Sequence, residues 1–204
     1  MQDVFEKLKK RASNPKHYCD MASGSPSTLA PATERQVKAA EKRLGFSLPV
    51  FLRRLYLEIG NGGFGPGYGL IPVAKGGKGD VFGKTIVEVH KAFTNPENEL
   101  IIPDNMLPVL TWGCGIYTII DCSDPNGATG FCEIGEHVLD GKNTSVKIYN
   151  AKGKLVSEIL PEAGESVTKK GPAAYARLVL HKNSAEEYFG AWAKGTDLWK
   201  EMNA

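Results

Sequence analysis

The sequence contains no long uncharged hydrophobic run. Its longest uncharged stretches, residues 105–120 among them, are shorter than the roughly 20 apolar residues that a membrane-crossing helix needs. That stretch also contains Pro108, Gly113 and Gly115. Residues 1–11 carry charges where a secretory signal would need an apolar centre. We therefore expect a cytoplasmic protein with neither a membrane span nor a signal peptide.

Cysteine and histidine are scarce, with four residues of each among 204. The cysteines are loosely spaced, which favours reduced thiols over a disulfide framework in a chain without a secretory signal. The histidines are scattered singly, so the spacing of a zinc site is missing. Residues 121–127 offer oxygen ligands but lack the alternating pattern and terminal Glu of a calcium loop. We expect no metal and no cofactor.

Catalytic motifs are also missing. No Gly-x-Ser-x-Gly elbow occurs. The segment 77–85 resembles a phosphate-binding loop, but only three residues separate Gly79 from Gly83, where a Walker-type loop needs four. Cys114 could serve as a nucleophile, although a small residue in a crowded sheet is the ordinary interpretation. We predict no catalytic residue, and keep an acid–base enzyme using paired carboxylates as the remote alternative.

The net charge of +2 conceals an uneven distribution along the chain. Residues 92–141 contain no Lys or Arg and carry a charge of −8, which leaves +10 for the remainder. If the loops bring these carboxylates together, the patch would attract a cationic partner. The alternative is a set of separately solvated loop charges.

Hydrophobic periodicity and capping residues predict helices, then strands, then a closing helix. We expect helices near residues 33–44, 48–59, 85–93 and from 184 onward, and a strand-like segment at 70–73. Strands are expected at 107–112, 116–121, about 129–134, 146–149 and 154–156, with a turn at 124–127. This order predicts one α+β domain in which helices pack on a mainly antiparallel sheet. We assign residues 1–32 to an N-terminal helix and arm, and 33–204 to the domain.

The first pair of helices resembles the SUKH superfamily, the group of the Smi/Knr-like cell-wall-assembly regulators. The resemblance rests on Glu41, Leu44-Gly45, Leu48-Pro49 and Asn61-Gly62-Gly63, and it extends from about Thr33 to Leu198. It implies an α+β fold without catalysis. It also implies either an immunity protein that neutralises a cognate toxin by binding it, as in many bacterial members, or a regulatory scaffold, as in fungal members.

The partner expected from this resemblance and from the charge distribution is a protein, for example a toxin with a basic surface, and neither nucleic acid nor a membrane. We predict that Asp121, Asp124, Glu133 and Glu136 face that basic surface. Tyr68 and Trp112 would anchor the centre, because such aromatic residues often dominate interfaces. Core packing is the alternative role for each of these aromatic residues.

Overall fold

The computed structural model describes residues 2–21, 30–76, 83–95, 102–138, 146–149, 155–159 and 172–202. Within these ranges the chain forms six α-helices and six β-strands. The helices are α1 (Gln2–Ala12), α2 (Glu34–Leu44), α3 (Val50–Glu58), α4 (Ile86–Thr94), α5 (Ala185–Ala193) and α6 (Leu198–Met202). The strands are β1 (Met106–Gly113), β2 (Ile116–Asp121), β3 (Thr129–Val138), β4 (Val146–Tyr149), β5 (Leu155–Ile159) and β6 (Pro172–Lys182).

The strands form one sheet in the order β1-β2-β3-β6-β4-β5. All neighbours pair antiparallel except β4 and β6, which run parallel. The predicted α+β fold with a mainly antiparallel sheet is thus confirmed. The segment 70–73 does not form a strand of this sheet, because only Leu70 bridges to Leu110. Strand β6, in the middle of the sheet, was not predicted.

The α2–α3 pair forms because capping residues fix both ends of α2. The Thr33 hydroxyl accepts a hydrogen bond from the Gln36 N–H, and the Thr33 N–H donates in return to the Gln36 side-chain oxygen. Gly45 ends the helix in the left-handed conformation, with φ of 87°. Beyond it, the Glu41 carboxylate accepts from the Leu48 N–H at 3.0 Å. Glu41 therefore holds the start of α3 and belongs to the scaffold.

Helices cover both faces of β2. Tyr117 contacts Phe93 of α4 edge-on, with ring centroids 4.9 Å apart. The next residue, Thr118, is hydrogen-bonded to Tyr188 of α5. Because successive side chains of a strand point to opposite faces, α4 and α5 lie on opposite sides of β2. The sheet is consequently buried on both faces here.

Helix α1 belongs to the same hydrophobic core. Phe5 and Leu8 are buried, and the Phe5 ring meets Phe51 edge-on at 5.1 Å. Val4 lies against Gly190 of α5, where a Cβ would be 3.3 Å from its methyl group. The division into an arm (1–32) and a domain (33–204) stays a prediction, and α1 contributes to the core across that boundary.

Residues 2–21 form an N-terminal strap that runs from α1 along the glycine-rich loop (residues 60–73). Arg11 fastens it: the guanidinium lies over the Trp192 ring, donates to the Trp192 carbonyl and to the His17 carbonyl, and pairs with the Asp20 carboxylate. The same Asp20 oxygen accepts from the Trp192 indole N–H at 3.0 Å. We call this arrangement the Arg11 clasp, and it ties the strap to α5.

Candidate protein-interaction site

The glycine-rich loop, residues 60–73, lies along the free side of β1. The Tyr68 N–H donates to the Thr111 carbonyl, and the Ile71 N–H donates to the Val109 carbonyl. Gly67 permits this approach, since a Cβ there would be 2.5 Å from the Thr111 carbonyl oxygen. The loop thereby places Tyr68 beside the end of β1.

Three aromatic residues gather at this end of the sheet. The Trp112 ring lies 5.5 Å from Trp199 of α6, measured between centroids, and Tyr68 lies over Gly113. Trp112 is only 5% exposed, whereas Tyr68 and Trp199 are half-buried. Trp112 is therefore packed in the core, which was the alternative role predicted for it, while Tyr68 and Trp199 reach the surface.

A buried chain of hydrogen bonds holds Trp112 in place. Its indole N–H donates to the Thr118 hydroxyl at 3.0 Å, and that hydroxyl is 2.8 Å from the Tyr188 phenol oxygen. Burial raises the pKa of Tyr188 well above its ordinary value, so the phenol stays neutral and can share this bond. Because the polar groups of Trp112, Thr118 and Tyr188 are paired with one another, this buried side of the cluster is rigid.

The strap adds Met21 to the edge of the cluster. Cys19 bridges in parallel to Gly65, the Gly65 N–H donates to the Tyr18 carbonyl, and the Met21 N–H donates to the Gly67 carbonyl. This register puts Met21, which is 41% exposed, next to Gly67 and hence beside Tyr68. We call Met21, Tyr68, Trp112 and Trp199 the aromatic patch.

Asp121 and Asp124 lie at the opposite end of β2. One Asp121 oxygen accepts from the Asn105 amide and from both the N–H and the hydroxyl of Ser123, at 2.6–2.9 Å. Asp124 accepts from the Asn126 N–H and starts the predicted turn, which Gly127 closes with an N–H to the Asp124 carbonyl. Both carboxylates stabilise local turns and remain half-exposed.

Glu133 and Glu136 lie on β3, where the structure describes the backbone. Glu133 pairs with Ile116, at the end of β2 nearest the aromatic patch. Asp121 is at the other end of β2, five residues from Ile116, so the two acidic residues are separated by about 16 Å along the strand. Glu136 lies three positions after Glu133, opposite Ala174 of β6. The structure therefore brings Asp121 and Asp124 together but separates them from Glu133, Tyr68 and Trp112. Three other acidic residues of the segment, Glu97, Glu99 and Asp140, are outside the described residues.

The cysteines differ in environment. Cys114 is exposed at the tip of the β1–β2 hairpin, with φ of 49° between two glycines, so its interpretation as a small residue in a crowded sheet was wrong. Burial, followed by the Asp121 charge, raises the pKa of Cys122 to about 12. That thiol is protonated at neutral pH and is not a thiolate nucleophile.

The described ranges contain neither a metal-binding cluster nor a membrane-spanning helix. Within them, no three His, Cys, Asp or Glu side chains lie close enough together to hold a metal ion. No described helix is both long and apolar enough to cross a bilayer.

Sequence reasoning missed two members of the aromatic patch. Trp199 lies in a five-residue helix after the predicted closing helix, too short for hydrophobic periodicity to reveal. Met21 lies in a segment rich in Ser and Pro, where nothing in the local sequence indicates a contact with Gly67. The signal that the sequence does carry is the residue type, since Trp and Met are enriched at interfaces.

Comparison with known proteins gives a match at the level of the family. No curated protein matches the chain. The model of the SMI1 / KNR4 family (SUKH-1) matches residues 31–151, which is more than half of the sequence and includes the α2–α3 pair, the glycine-rich loop and strands β1 to β3. The chain therefore belongs to the SMI1 / KNR4 family (SUKH-1).

Proposed function

We propose that this chain is a cytoplasmic, non-enzymatic protein-binding module that neutralises a cognate toxin by direct binding. Membership of the SUKH group supports a protein-binding role, since the family resemblance implies immunity proteins or regulatory scaffolds. The observation that carries the proposal is the aromatic patch, which collects Met21, Tyr68 and Trp199 at the surface around a fixed Trp112.

The composition of the patch suits a protein interface. Tyr, Trp and Met are enriched at interfaces, and binding energy concentrates in a few such residues that are packed against a rigid base. The base here is Trp112, held through Thr118 and Tyr188. A preorganised patch loses little side-chain entropy on binding, which favours a tight complex.

The acidic residues would act separately from the patch. Asp121 and Asp124 lie about 16 Å away along β2, and their unused oxygens leave a negative charge at that end. Charges at this distance contribute to the attraction of a basic toxin more than to the final contact. In this proposal they increase the association rate, and the patch determines how slowly the complex dissociates.

The double substitution Tyr68→Ala with Trp199→Ala is expected to weaken toxin binding roughly 10–100-fold and to abolish protection. The physical reason is the loss of the two surface rings, while buried Trp112 remains in place. The measurement is survival of cells that express the toxin encoded beside this chain's gene, together with calorimetric binding of the two purified proteins.

Val50→Ala is the matched control. Val50 is a 65% exposed apolar side chain beside Pro49, which contacts Gly127 at the far end of β2. Protection should be unchanged in this variant. Normal toxin binding by a correctly folded double variant would exclude the aromatic patch as the binding surface. If the wild-type chain gives no protection and does not bind the toxin, immunity is excluded, and the regulatory scaffold becomes the function to test.

A further inference from the structure

Strand β6 contains a β-bulge at His181. Along the β3–β6 ladder, Gly130 pairs with Leu180 and Thr129 pairs with Lys182, so His181 is the extra residue. Gly130 makes the bulge possible, since a Cβ there would be 1.8 Å from the Val179 carbonyl oxygen. Bulges often redirect a side chain and are frequent next to functional sites.

The redirected imidazole lies in an aromatic environment. Its centroid is 5.4 Å from the Phe131 ring of β3 and 6.5 Å from the Tyr188 ring of α5, to which it is nearly parallel. His181 itself is half-buried. The arrangement suits a neutral ring that packs between apolar surfaces.

Few charged groups face this imidazole among the described residues. Lys182 follows it on β6, and Glu201 of α6 forms an ion pair with Lys182 at 2.9 Å. On α5, the neutral Tyr188 phenol faces the ring, while the Glu187 carboxylate accepts from the Asn183 N–H. Phe131 of β3 carries no charge. A positive charge on His181 would thus meet Lys182 at close range and compete for Glu201.

Two routes lead from His181 to the patch. The first passes through Tyr188 and the Thr118 hydroxyl to the Trp112 indole. The second passes through the Lys182–Glu201 ion pair to α6, where Glu201 lies two residues after Trp199. Since Trp112 and Trp199 contact each other, the two routes meet in the patch.

We propose that protonation of His181 loosens the packing of Trp112 and Trp199, so that the aromatic patch responds to mildly acidic pH. The inference concerns the patch itself and holds whether or not its partner is a toxin.

The sign follows from the environment of the imidazole. Burial first, and the Lys182 charge second, lower the pKa of His181 below its ordinary value of 6.5. The packed state therefore prefers the neutral ring, and the loosened state binds the proton more readily. The packed patch is fully stabilised above pH 6.5 and loses that stabilisation as the pH falls below this value.

Intrinsic fluorescence of the full chain tests the proposal, because the three tryptophans are Trp112, Trp192 and Trp199 and two of them lie in the patch. Titration from pH 7.5 to 5.0 should shift the emission, with a one-proton midpoint below 6.5. The shift should disappear in His181→Gln and should persist in His17→Gln, because His17 is exposed on the strap. Trp199→Phe should reduce its amplitude.

A second variant covers the case in which His181→Gln does not fold. Lys182→Met removes the neighbouring positive charge, so the midpoint should move to higher pH. An unchanged midpoint in that variant would overturn the proposal. The same conclusion follows if the wild-type emission is constant over this range, if the shift survives in folded His181→Gln, or if it keeps its full amplitude in Trp199→Phe.

Discussion

Replacing Gly130 by alanine is expected to destabilise the fold by roughly 4 kcal/mol or more, which is at the upper end for single substitutions. The new Cβ would lie 1.8 Å from the Val179 carbonyl oxygen and 2.6 Å from the Leu180 Cα. Both are backbone atoms of β6 in the middle of the sheet, so no side-chain rotation relieves the clash. Strands β3 and β6 would have to separate at the bulge.

The measurement is the free energy of unfolding from urea denaturation, with Gly45→Ala as the matched control. Gly45 has φ of +87°, but nothing lies within 4 Å of a Cβ at that position. Gly45→Ala should lower the free energy of unfolding only by the cost of placing alanine in the left-handed conformation, about 1–2 kcal/mol. Equal losses in the two variants would show that β6 does not approach Gly130 as closely as described.

Asn61→Ala is expected to cost roughly 3 kcal/mol, since it leaves several backbone groups without partners. The Asn61 amide oxygen accepts from the N–H groups of Val73 and Ala74, and its nitrogen donates to the Ala74 carbonyl. Asn61 is 6% exposed and closes the glycine-rich loop from the inside. Without the Asn61 side chain, the two ends of the glycine-rich loop, which positions Tyr68, are no longer held together by these hydrogen bonds.

Two further variants separate the causes of this loss in urea denaturation. Asn61→Asp keeps the two accepted hydrogen bonds but turns an oxygen toward the Ala74 carbonyl, so its loss should also be large. Asn126→Ala changes an exposed Asn in the 124–127 turn and should alter the stability by no more than about 0.5 kcal/mol. Similar stabilities of Asn61→Ala and Asn126→Ala would contradict the structural role of Asn61.

Local signals in the sequence were sufficient to predict the elements whose ends carry residues with a strong capping or turn preference. The helix at 33–44 and the turn at 124–127 appear as predicted, and their ends are fixed by the Thr33–Gln36 capping bonds and by the Gly45 and Gly127 N–H groups. Strand β6 begins Pro-Ala-Ala, residue types that are depleted in strands, so its start carries no local strand signal. Its position between β3 and β4 arises from pairing over long sequence distances, which local propensity does not encode.

The candidate site was predicted only in part, for the same physical reason. Tyr68 and Trp112 do lie together, but the cluster depends on Trp199 and on the register of the strap against Gly65 and Gly67. The charge count also could not anticipate that the Asp121 carboxylate accepts three hydrogen bonds, two from Ser123 and one from Asn105. Counting charges along the chain does not reveal how a tertiary fold distributes them.

The packing of α1 on α5 has a consequence for the order of synthesis. About 170 residues separate the end of α1 from the start of α5. At typical translation rates of 5–20 residues per second, α1 emerges roughly 10–35 s before α5, the helix whose Gly190 lies against Val4. During that interval the side of α1 that packs on α5 has no partner, so a nascent chain of this protein is an expected client of chaperones that hold short amphipathic segments.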